Sequence, residues 1–143
     1  MPEKQSPQPA PKSLWAIGLI ALLWNGLGIF LWAGTTFPPD RFLEGMPQAH
    51  RDYINSLPLW STITWGLGVV GGAAGAILLL LRNRLAVPAF ALSLLGAVSN
   101  TMVYVTHPPP AGFFNPSLTA FIIGYALLQL WFARKMKQRG VIG

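Results

Sequence analysis

The sequence predicts an all-α polytopic membrane protein: an up-and-down bundle of four transmembrane helices with a short helix in its outer loop. Three observations predict it. Only 10% of the 143 residues are charged, against roughly 25% in a typical soluble domain. Four uncharged apolar runs stand at about 13–34, 57–81, 85–106 and 115–133, and a helix needs about 20 residues to cross a hydrocarbon core of about 30 Å. None of the ten Lys and Arg falls inside a run. Spanning strands would be about half as long and would alternate apolar with polar residues. Helices also satisfy their own backbone groups in lipid.

The chain divides into a Pro-rich tail at 1–12, a membrane domain at 13–134 and a basic tail at 135–143. The first tail, MPEKQSPQPAPK, has no apolar periodicity and is expected to be flexible. Lys4 and Lys12 before an apolar run resemble a signal peptide. The run is too long for one, and Leu31 and Ala33 make a poor cleavage site. It is read as a retained first span, with Ser13 as a cap and Trp15 and Trp32 at its two interfaces.

Pro38 and Pro39 stop that helix. The loop DRFLEGMPQAHRDYINSLP then reads as one or two short helices lying on the membrane or capping the bundle. The second span is rich in small residues. Gly68 and Gly72, and likewise Gly71 and Gly75, stand four apart, which permits close approach by another helix. Arg82, Asn83 and Arg84 form a turn so short that the second and third spans must be antiparallel neighbours. In the third span Ser93, Gly96 and Asn100 mark a packing face. Three successive prolines, Pro108 to Pro110, stiffen the next loop. Asn115 or Ser117 caps the fourth span, with Pro116 in its first turn.

With the N-terminus inside, Lys4, Lys12, Arg82, Arg84, Arg134, Lys135, Lys137 and Arg139 all fall on the inner side. Only Arg41 and Arg51 fall outside. This bias predicts that both ends are cytoplasmic. The net charge of +6 is therefore read as a topology signal, with no nucleic acid as partner. The bilayer is the expected partner, together with a membrane-protein partner or further copies of the chain.

No Asp, Glu, Lys, Arg or His lies in the spans. Proton-coupled carriers need such a group, and small four-helix drug exporters carry a membrane-embedded Glu. Asn25, Asn100 and Gln129 are the polar residues that most need a partner in lipid. They are read as interhelical hydrogen-bonding groups. His50, Arg51, Asp52 and Tyr53 are assigned to holding the outer loop, and no metal or other cofactor is expected at His50 or His107. No nucleophile–base pair, paired carboxylates or zinc-protease motif is present, so no catalytic residue is assigned and no enzyme is expected.

The segments LWN at Leu23–Asn25, MPQAHRDYINSLPLW at Met46–Trp60 and LLLLRNRLAVPAFALSLLG at Leu78–Gly96, with the small-residue helix between them, resemble a family of small bacterial inner-membrane proteins that often carry the label "sugar transporter". The resemblance covers most of the chain after the tail. It implies four membrane helices, an inner-membrane location and no catalytic residue. Asn100 looks like the family's polar position in the third helix. Two functions follow as expectations. One is a non-catalytic accessory or structural component of a membrane assembly. The other is a small facilitator or carrier subunit for a neutral solute, acting as an oligomer.

Overall fold

The computed structural model describes residues 7–143. Lys4 and the rest of the predicted tail before Pro7 lie outside the described residues. The order is α1 Lys12–Thr36, α2 Pro39–Leu43, α3 Gln48–Ser56, α4 Leu59–Leu80, α5 Ala86–Thr101, α6 Val103–Thr106 and α7 Pro116–Gln138. Among the described residues there is no strand, and four helices are long and apolar enough to cross a membrane, α5 and α6 together counting as one of them.

Proline and asparagine set the helix starts. Pro11, Pro38, Pro47 and Pro58 are the N-cap residues of α1, α2, α3 and α4. Each fixes φ just where a helix has no use for an N–H. The first helix thus begins at Lys12 after Pro11, one residue before the expected Ser13 cap. At α7 the Asn115 side chain accepts a 3.1 Å hydrogen bond from the Leu118 N–H, a side-chain cap with Pro116 beside it. The third span is broken at Met102. There the backbone tightens, with the Met102 N–H donating to Ser99 O at 3.1 Å and the Val105 N–H to Met102 O at 3.2 Å.

The four long helices form a ring. Helix α4 packs on both α1 and α5, and α5 packs on α7. Large side chains of α1 and α7 close the circuit. Between the two ends the outward faces are largely apolar: Leu23 and Val105 are each 75% exposed, a cost in water that lipid removes.

Two unlike ends result. The loop end carries α2, α3 and the connection from α6 to α7, joined where the Tyr53 hydroxyl donates to His107 O at 2.7 Å. The opposite, basic end gathers the start of α1, the α4–α5 turn and the end of α7. The main buried apolar cluster lies here and includes Leu14, Leu79, Phe90, Phe132, Met136 and Ile142.

The segment after α7 is part of that cluster. Gly140 adopts a positive φ of 68°. Its N–H donates to Lys137 O at 3.0 Å, and the Val141 N–H donates to Met136 O at 2.9 Å. This is a glycine helix stop, with the expected apolar contact between the residue after the glycine and the last turn. It folds the chain back, so that Val141 and Ile142 are buried at 5% and 2% exposure. The tail expected at 135–143 is therefore helical to Gln138 and packed beyond it.

Candidate functional site

The candidate site is the polar and small-residue interior of the bundle. On α1, Asn25 lies one turn above Ala21. Its Nδ2 donates to Ala21 O at 2.8 Å and to Gln129 Oε1 of α7 at 3.2 Å. Both residues are buried, at 6% and 3% exposure. The two NH bonds of one amide thus serve two acceptors, the local carbonyl and the distant side chain. Gly72 of α4 faces the same amide, and a Cβ there would overlap the Asn25 amide group.

On its other side α4 meets α5 at backbone range. Ser93 Oγ donates to Gly68 O at 2.6 Å. A Cβ on Gly71 would lie 3.2 Å from Ser93 N, and one on Gly75 would meet the Phe90 ring. At Gly96 it would stand 2.5 Å from Gly68 N. The glycines of α4 are therefore shared out: Gly68, Gly71 and Gly75 serve α5, while Gly66, against Trp32, and Gly72 serve α1. Asn100 is less deeply set. Its Oδ1 lies 3.4 Å from Thr64 Oγ1 of α4, nearer the loop end, and shares that hydroxyl's single proton with Ser61 O at 3.1 Å. The structure brings Asn25 and Gln129 together and leaves Asn100 apart from both.

Beside the amide pair, Trp24 packs edge-on against Phe121 and Tyr125, with ring centroids 5.3 and 5.8 Å away. Phe121 and Tyr125 stack at 5.9 Å. The Tyr125 hydroxyl is buried and has no hydrogen-bond partner in the structure. Sequence reasoning missed this aromatic seam. Its signal was the spacing of Phe121 and Tyr125, four residues apart on one helix face.

No protein family, curated protein or solved structure matched the chain.

The loop-end residues are tied down by one another. His50 and Tyr53 both pack edge-on against Phe113, at 5.3 and 4.8 Å. A His50 ring nitrogen lies 3.4 Å from Ala111 O, and His107 Nδ1 lies 3.0 Å from Thr106 Oγ1. Burial pushes the Tyr53 phenol above its ordinary pKa, and the neighbouring Tyr104 adds to this. It therefore stays a neutral donor to His107 O. Arg51 and Asp52 are both bonded to Gln48, Asp52 Oδ1 accepting from Gln48 Nε2 at 2.7 Å. Among the described residues no three His, Cys, Asp or Glu groups gather as metal ligands would.

The amide pair can be measured. Single and double Asn25→Ala and Gln129→Ala variants, unfolded with SDS in mixed micelles, are expected to show a coupling of about 0.6 kcal/mol and at most about 1.7. The value is small because Asn25 keeps its Ala21 acceptor when Gln129 is lost. Strict additivity would mean that the two amides do not interact.

Proposed function

We propose that this chain is a non-catalytic integral membrane protein serving as an accessory or structural component of a larger membrane assembly. The observation that carries the reading is that the buried Asn25, Gln129 and Ser93 side chains bond within the bundle, although the Tyr125 hydroxyl has no partner. Asn25 and Gln129 bond each other, Ser93 bonds a backbone carbonyl of α4, and Asn100 shares the Thr64 hydroxyl proton with Ser61 O. These groups hold helices together, and the spans offer no Asp, Glu, Lys, Arg or His to a reacting group. A facilitator for a neutral solute would need the same amides to line a passage, whereas here Asn25 and Gln129 bond each other.

In this reading the chain lies in the bacterial inner membrane, as its resemblance to the small inner-membrane family implies, with both ends in the cytoplasm. The orientation is supported by the clustering of Lys12, Arg82, Arg84, Arg134, Lys135, Lys137 and Arg139 at the basic end. The acids Asp40, Glu44 and Asp52 lie at the loop end.

The test is purification after gentle solubilisation, with identification of every co-purifying chain. A complex containing another membrane protein or further copies is the expected result. Recovery only as a free monomer overturns the proposal. Orientation is read in the same preparation route from thiol labelling, since the chain has no Cys. A single cysteine replacing Ser56 should react from outside whole cells, and one replacing Gln138 should not.

A further inference from the structure

The basic end carries a recess of about 400 Å³ lined by Gln8, Pro9, Pro11, Arg139 and Val141. It lies between the segment before α1 and the segment after α7. Both walls are held in place. The Gln8 N–H donates to Gly140 O at 3.4 Å. Arg82 reaches across, with Nε donating to Val141 O at 2.9 Å and Nη2 to Gln8 O at 2.5 Å. Arg82 does this from a left-handed backbone, φ 57°, a conformation unfavourable for a residue with a Cβ. The Gly143 N–H bonds Arg82 O at 3.1 Å, and the Arg84 N–H bonds Gly143 O at 3.2 Å. The recess is thus a fixed feature of the fold.

Its charge is one-sided. Arg139 lines it, and Lys12 is next in sequence to the lining residue Pro11; both are exposed. Every acid among the described residues lies at the opposite end of the bundle. Among the described side chains, the recess is lined by a cation and by no carboxylate, a charge that favours a phosphate group. The helix that begins beside it, α1, has an apolar outward surface. Trp15, Leu19 and Ile20, on the first turns of α1, are 47%, 53% and 58% exposed. A ligand with an anionic head and a hydrocarbon body matches both surfaces, and a free anion matches only one.

We propose that this recess binds the headgroup of an anionic phospholipid, with Arg139 and Lys12 on the phosphate and the acyl chains along the outward face of α1. The proposal goes beyond the assembly role and does not depend on it. In a membrane it would fix a lipid between the two chain segments that close the basic end.

The test uses the full chain in non-ionic detergent, titrated with phosphatidylglycerol and with phosphatidylcholine, the bound lipid being counted by native mass spectrometry. Phosphatidylglycerol is expected to be retained preferentially. Arg139→Gln should weaken it about fivefold, and Lys12→Gln added to it about fivefold again. Arg41→Gln, at the loop end, should leave retention unchanged. Equal retention of the two lipids by the wild-type chain overturns the proposal without recourse to any variant. So does an equal loss in Arg41→Gln. Displacement of phosphatidylglycerol by inorganic phosphate that then binds equally well would show a free-anion site and would also overturn it.

Discussion

Gly96→Val is expected to be the most damaging single substitution among the spans. A Cβ at Gly96 would stand 2.5 Å from Gly68 N and 2.8 Å from Thr64 O. Both are backbone atoms of α4, and neither can rotate away as a side chain would. The helices must part instead, which stretches the Ser93 bond to Gly68 O. Overpacking of this kind costs about 1–3 kcal/mol for a small addition. Gly96→Ala should fall in that range, and valine, with two more methyl groups, should exceed it. The check is the SDS unfolding midpoint in mixed micelles, with Gly124→Ala as control. Nothing lies within 4 Å of a Cβ at Gly124, so that variant should stay within about 1 kcal/mol of wild type. Equal midpoints for Gly96→Val and Gly124→Ala would show that α4 and α5 are not in backbone contact.

The second large effect is expected from Ile142→Asp. Ile142 is 2% exposed inside the apolar cluster of the basic end. A carboxylate placed among these apolar side chains is costly to bury, so the segment should leave its seat. Undocking exposes Val141 as well, and burial of one such side chain stabilises by about 1.5–3 kcal/mol. The loss should therefore be about 3 kcal/mol, read from the unfolding midpoint. A second readout is tryptic cleavage after Arg139, which should accelerate in Ile142→Asp and remain slow in Ile142→Leu. Unchanged cleavage in the aspartate variant would mean that the segment is not docked.

The parts of the molecule that could be read from the sequence are the local ones. Run length and the absence of charge suffice to place α1, α4, α5 with α6, and α7, because crossing a bilayer is a demand each segment meets alone. The loop helices were legible from Pro47 and the periodic Tyr53, Ile54 and Leu57. Pairing was not legible. Asn25 and Gln129 stand 104 residues apart, and nothing local says that each would choose the other. Nor does spacing alone say that Gly72 would face α1 while Gly71, its neighbour, faces α5. That division follows from 100° per residue only once the two partners' positions are known.

The docked segment after α7 is a different case. Lys135, Lys137 and Arg139 lead into it and suggest a solvated tail. The sign against that reading was small: Gly140, followed by the apolar Val141 and Ile142, is the pattern of a helix stop that turns the chain back. The local rule was present and was outweighed by composition.

The uncharged interior has an electrical consequence. The membrane potential does work of about 2.3 kcal/mol per 100 mV on each elementary charge that crosses it. Here, among the described residues, the charged side chains lie toward the two ends, and the apolar runs 13–34, 57–81, 85–106 and 115–133 hold none. Rearranging the helices within the bilayer would carry no gating charge. An energised and a de-energised membrane should therefore hold this bundle in the same state, so any signal that reaches it must be mechanical or chemical.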